Sequence, residues 1–155
     1  MSGTIEARLK ELGIELPQTT APIANYVPYT ISGNLVVVSG QVSVRDGKAE
    51  FCGKLGREID IAAGQQAARL CALNILAHLK SACGGDLDRV KRVLRLGGFV
   101  NCTADFTEMP QVVNGASNLM VEVFGEAGKH ARAAVGVSSL PLGVAVEVEA
   151  MFEIA

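Results

Sequence analysis

Tryptophan is absent from this 155-residue chain, and so is any run of basic residues interleaved with aromatics. Its 14 Lys and Arg are outnumbered by 16 Asp and Glu, giving a formal net charge of −2. That balance argues against nucleic acid as a partner, because phosphate binding draws on a concentrated positive field. The opening residues, MSGTIEARLKELGIELP, lack the apolar stretch of a secretory signal, and no later run is both apolar and long enough to cross a bilayer. A cytoplasmic location and no membrane partner are expected. Cys52, Cys71, Cys83 and Cys102 share no CxxC spacing, and His78 and His130 do not fall at metal-ligand spacing from them. The cysteines read as reduced, mostly buried thiols with no metal site, and neither histidine is given a role. Also missing are tandem repeats, low-complexity tracts and the composition shift of a linker.

What is present suits one domain with one substantial core: 49% of the residues are hydrophobic and the mean hydropathy is positive. Ile5, Leu9 and Leu12 stand at helical spacing and stop at Gly13, predicting a short amphipathic helix over 4–12 that is an appendage to the domain. A turn-rich stretch, PQTTAPIANYVPYT, leads to the short strands LVVVS and QVSV, the second closed by the turn RDGK. A long helix is expected over 59–82, with Asp60 as N-cap, one stripe of Ala68, Ala72, Ile75, Leu76 and Leu79, and Gly84 and Gly85 at its end. Residues 89–101 read as a strand in which Gly97 and Gly98 mark a bulge or a close backbone approach. A second helix starts near Pro110, carries Val112, Val113, Ala116, Leu119, Met120, Val123 and Phe124 on one face, and ends near Gly125.

Two strands finish the chain. Alternation over 144–154 puts Val144, Val146, Val148, Ala150, Phe152 and Ile154 on one face, with Glu147, Glu149, Met151 and Glu153 on the other. If SSLPLG is a hairpin turn, Arg132 pairs across to the neighbourhood of Glu147 and Val148, and both charges rise from a face floored with Ala and Gly. Such a floor makes a poor solvent face, so another subunit is expected to cover it and to leave Arg132 in an intersubunit cleft. There a guanidinium suits bidentate binding of a carboxylate. The order of elements predicts an α+β layer: a mixed sheet with two helices packed on one face.

The segments APIANYVPYTISGNLVVVSGQVSV, DIAAGQQAARLCALNILAHLKSACGGDLDRVKRVLRLGGFV, DFTEMPQVVNGASNLMVEVFGE and ARAAVGVSSLPLGVAVEVEAMFEIA resemble the Rid (reactive intermediate deaminase) family, also called YjgF-like and, in an older name, L-PSP endoribonuclease. The resemblance covers about residues 21–155, with 1–20 as an N-terminal helical extension; its most specific element is the arginine opening the penultimate strand, followed by LP and a strand ending VEVEA. It implies a chorismate-mutase-like fold, a homotrimer with clefts between subunits, and hydrolysis of enamines and imines such as 2-aminoacrylate to 2-keto acids and ammonia, with no metal or organic cofactor. Carried over by motif, Arg132 is the arginine that binds the substrate carboxylate and Glu147 the acid that orients or activates water. Tyr26 matches the tyrosine lining the cleft, Ser39 and Gly40 the SGQ strand end, and Asn114 the asparagine of the second helix.

Each residue also admits a plainer role. Arg132 and Glu147 can form a structural ion pair within the trimer. Tyr26 can be an interface aromatic, Ser39 and Gly40 can simply end a strand, and Asn114 can tie helix to loop. Ala134 stands two positions after the arginine, where many deaminase-type relatives have cysteine. A binding protein that holds a small carboxylate such as a 2-keto acid without turning it over is the alternative to the deaminase.

Overall fold

The structure, a computed structural model, describes residues 3–19 and 25–155; residues 20–24 of the turn-rich stretch lie outside the described residues. Helix α1 spans Thr4–Glu11. Strands β1 (Tyr29–Ser32) and β2 (Leu35–Val42) form a hairpin, and β3 (Val44–Arg45) with β4 (Lys48–Ala49) a smaller one. Helix α2 (Ile61–Ala82), β5 (Val90–Asn101), α3 (Met109–Phe124), β6 (Ala131–Val137) and β7 (Val146–Ile154) complete the chain.

Five strands make one mixed sheet in the order β1-β2-β7-β5-β6. Strand β5 pairs antiparallel with β7 and parallel with β6, as a crossover through α3 requires. Both long helices lie on one face. Asp60 caps α2, its Oδ1 accepting from the Ala63 amide at 2.8 Å, and Pro110 occupies the first turn of α3. The apolar stripes that these boundaries frame close over Val146, Val148 and Phe152 of β7 and Val93, Leu96 and Val100 of β5, all fully buried. Burying each such side chain contributes about 1.5–3 kcal/mol.

Glycines set how closely the layers approach. A Cβ at Gly98 would lie 2.5 Å from the Val113 side chain of α3, and one at Gly115 would run into the Gln65 backbone of α2. The close approach expected at Gly97 and Gly98 is therefore present; the irregularities of β5 fall instead between Val90 and Arg92 and between Val93 and Arg95.

Three features differ from the sequence reading. The stretch 29–32, taken as turn, is strand β1, registered on β2 from Tyr29↔Val38 to Ser32↔Leu35. Helix α1 is built into the core: Leu9 is buried, Asp88 carboxylate oxygens accept from the Thr4 and Ile5 amides at 2.9 and 2.8 Å, and Arg8 Nε donates to the Glu122 carbonyl at 2.9 Å. The last two strands are not a hairpin. Strand β5 lies between them, and residues 138–145 step over its end, longer than a tight hairpin turn and pinned by the Ala145 amide to Phe51 O and the Asn101 amide to Ala145 O. Buried Asn101 fastens this crossing, donating to the Gly53 and Val144 carbonyls and accepting from Lys54 Nζ at 2.8 Å.

Candidate active site

Because β5 separates β6 from β7, register decides where the two principal charged residues point. Leu96 pairs with both Arg132 and Ala150 and is buried under the helices, so Arg132 lies on the helix side of the sheet. Phe99 pairs with both Val135 and Glu147, which puts Glu147 on the helix-free face. Arg132 and Glu147 are thus on opposite faces and do not pair, contrary to the hairpin reading. Their strands are two spacings apart, roughly 10 Å.

Around Arg132 the structure assembles one group of residues. The guanidinium Nη1 donates to Asn114 Oδ1 at 2.8 Å and to Ser117 Oγ at 3.2 Å, both on α3. Ser117 Oγ is in turn 2.9 Å from His130 Nε2, and His130 Nδ1 is 2.6 Å from the Gly128 carbonyl oxygen. Among the described residues no carboxylate forms an ion pair with Arg132. Arg132 and Asn114, both singled out in the sequence, are brought together. Ser117 and His130 were not singled out, although the spacings could have found them: Asn114 and Ser117 are i,i+3 on one helix face, and His130, just before β6, is i,i+2 with Arg132.

A second group forms where β2 bulges between Val38 and Gln41. A Cβ at Gly40 would collide with the Glu147 carboxylate, so glycine is what gives that side chain its room. Ser39 ties down the preceding segment: its Oγ donates to the Val27 carbonyl at 2.7 Å and its amide to the Pro28 carbonyl at 2.8 Å. Tyr26, next along that segment, is exposed. Ser39, Gly40, Glu147 and the Tyr26 segment therefore gather at one end of β2, away from Arg132 and Asn114.

The electrostatics of Glu147 also differ from expectation. With no guanidinium beside it, burial, and after it the Glu149 carboxylate, hold its pKa above the ordinary 4.5. Glu149 itself faces Arg95 at 3.8 Å. Beneath the sheet, Cys71 is buried with its thiol pushed well above its usual range, chiefly by burial, and is a packing residue. Of the thiols expected to be mostly buried, Cys71 and Cys83 are, Cys102 is partly so and Cys52 is exposed. Among the described residues no three His, Cys, Asp or Glu side chains are arranged to hold a metal ion, and no helix is long and apolar enough to cross a membrane.

Sheet order, helices on a single face and a crossover arginine strand define the class, a two-layer α+β domain with a mixed sheet. The family model described as "YjgF/chorismate_mutase-like, putative endoribonuclease" matches residues 6–154, and the chain belongs to that family. It is 50% identical to Protein TCP17 of Trypanosoma cruzi over 99% of this chain and 96% of that protein. Among solved structures, the protein Atu1372 of Agrobacterium tumefaciens, of unknown function, is 54% identical with a TM-score of 0.90, covering 97% of this chain and 94% of its own. The YjgF gene product of E. coli is 26% identical with a TM-score of 0.63, covering 90% and 98%.

Proposed function

We propose that the protein hydrolyses reactive imines and enamines of the 2-aminoacrylate type to 2-keto acids and ammonia, in clefts between the subunits of a homotrimer. One observation carries this reading: Arg132 is half-buried, its Nη1 is held by two neutral acceptors, and no carboxylate pairs with it among the described residues. Such a guanidinium keeps its charge and leaves an edge for the carboxylate of a small substrate.

The chemistry asks for little more. An enamine first takes a proton at C3 from solvent; water then adds to C2 of the protonated imine as Glu147 takes one of its protons and passes it to the nitrogen. As the C–N bond breaks, Glu147 takes the remaining hydroxyl proton and hands it to the departing ammonia, leaving the 2-keto acid and ammonium. A carboxyl whose pKa is raised is a better base for this exchange than an ordinary one. Tyr26, Ser39, Gly40 and Asn114 line the cleft in this account.

The trimer is supported by where the charges lie. One copy holds Arg132 on the helix side of an edge strand and Glu147 on the helix-free face, so a small substrate touching both requires a neighbouring copy to bring its Glu147 to the Arg132 edge. The helix-free face carries Leu35, Val37 and Val135, all exposed, which suits burial against other copies.

A binding role without turnover uses the same anion site; E. coli TdcF, a solved neighbour 23% identical and so informative on fold alone, is described with bound serine. The test separates the two. With 2-aminoacrylate generated in situ by a dehydratase, wild type accelerates its loss and Arg132→Ala reduces that acceleration by about 100-fold, the worth of one charge-assisted anchor. No acceleration by wild type, with Arg132-dependent binding of 2-ketobutyrate, would leave the binding role in place of the deaminase.

A further inference from the structure

With the His130 ring neutral, the donors and acceptors around Arg132 allow one arrangement of protons. A carbonyl oxygen can only accept, so His130 Nδ1 carries the hydrogen of the 2.6 Å contact with Gly128. In the neutral ring Nε2 then has a lone pair, and the Ser117 hydroxyl must donate to it across 2.9 Å. The Ser117 oxygen keeps its lone pairs for Arg132 Nη1, whose second hydrogen goes to Asn114 Oδ1. Both hydrogens of Nη1 are committed, and among the described residues neither Nε nor Nη2 has a hydrogen-bond partner. Gly128 is built for its part: a Cβ there would collide with the Met120 carbonyl, so only glycine lets the backbone lie over the last turn of α3 and offer its oxygen to the ring.

We propose that His130 and Ser117 are positioning residues of the Arg132 anion site, and that a carboxylate binding at Arg132 draws a proton onto His130. The proposal rests on the reading of Arg132 as a carboxylate anchor. A second proton on the ring, at Nε2, makes that nitrogen a donor to Ser117 Oγ, which has a lone pair for it beside the bond from Arg132. The ring becomes cationic two residues from the Arg132 guanidinium, with Ser117 between them. Without a ligand that is unfavourable: burial chiefly holds the ring below the ordinary 6.5, the Gly128 carbonyl opposes, and Arg132 adds to the depression. An anion at the guanidinium removes the last of these costs, and the coupling runs equally in both directions.

The charged groups around the ring leave Arg132 as its near neighbour. Strand β6 presents Arg132, α3 presents the neutral Ser117 and Asn114, the turn at 125–128 presents Glu126 paired with Lys129 at 2.9 Å, and Arg95 of β5 is turned to Glu149 on the opposite face.

Titration calorimetry with 2-ketobutyrate, ionised throughout, tests this from pH 5.5 to 8 in two buffers of different ionisation enthalpy. Wild type is expected to bind more tightly as pH falls and to take up a fraction of a proton that is largest between the His130 midpoints of the free and bound protein. His130→Gln, whose amide oxygen still accepts from Ser117 but does not titrate, is expected to bind with little pH dependence. Ser117→Ala weakens binding about tenfold at pH 8, and Ser117→Thr restores it. If His130→Gln keeps the wild-type pH slope, or Ser117→Ala binds as wild type while Arg132→Ala does not bind, the positioning unit is wrong and the anchor stands. If Arg132→Ala binds as wild type, the anchor reading itself falls.

Discussion

In the proposed reaction Glu147 has the most to gain from its surroundings, because a water-activating carboxylate must be ionised to act yet basic enough to take a proton. Its pKa is held above 4.5, first by burial and second by Glu149. Since the proposed turnover needs the ionised form, the acid limb of kcat/KM against pH is expected above 4.5, with the rate rising as pH rises through it. Replacing Glu149 with Gln removes the second cause and leaves the first. The limb is then expected to move part of the way down, and an unmoved midpoint in the Glu149→Gln pH profile would separate Glu147 from that limb. At this scale the sequence was legible where a motif carried the residue. Arg132 and Asn114 were named and do meet, at 2.8 Å; Gly40 and Glu147 were named and are packed together. Ser117 and His130 escaped because serine and histidine have many structural uses, and only the fold reveals that their two spacings converge on one guanidinium.

Elements were legible in proportion to how local their cause is. Both long helices follow from periodicity and end signals that lie within a few residues, and Asp60, Pro110 and Gly125 mark their limits as expected. Strand β1 escaped because a four-residue edge strand after Pro28 has too little alternation to separate it from a turn. The β6 and β7 neighbourhood escaped for a different reason: parity gives the face within a strand, but strand order depends on where α3 returns the chain, a contact between distant segments. With parity right and adjacency wrong, Arg132 and Glu147 were put on one face. Close layer packing makes its own prediction. Gly98→Ala places a Cβ against Val113 and is expected to cost about 1–3 kcal/mol by overpacking, read as a lower denaturation midpoint with an unchanged slope. A midpoint equal to wild type would mean that α3 yields without cost.

For the whole molecule, one face of the sheet is filled by helices and the other carries Phe99, Met151, Val135, Val37 and Leu35 among its carboxylates. Val135, on the edge strand β6, is 46% exposed in the single chain, an unusual state for a β-branched residue of a stable monomer. If the proposed trimer forms through this face, Val135→Asp is expected to shift it to smaller species in sedimentation velocity while the far-ultraviolet circular dichroism is kept; an assembly that persists unchanged would put the surface elsewhere. The central claim is that each reacting site draws Arg132 from one copy and Glu147 from another, and mixing two inactive variants tests it most directly. Arg132→Ala and Glu147→Gln protomers, combined in equal amounts and allowed to exchange subunits, should recover about a quarter of wild-type turnover, because one cleft in four then receives both intact residues. A mixture no more active than its two components would contradict the shared site and return both residues to a single chain.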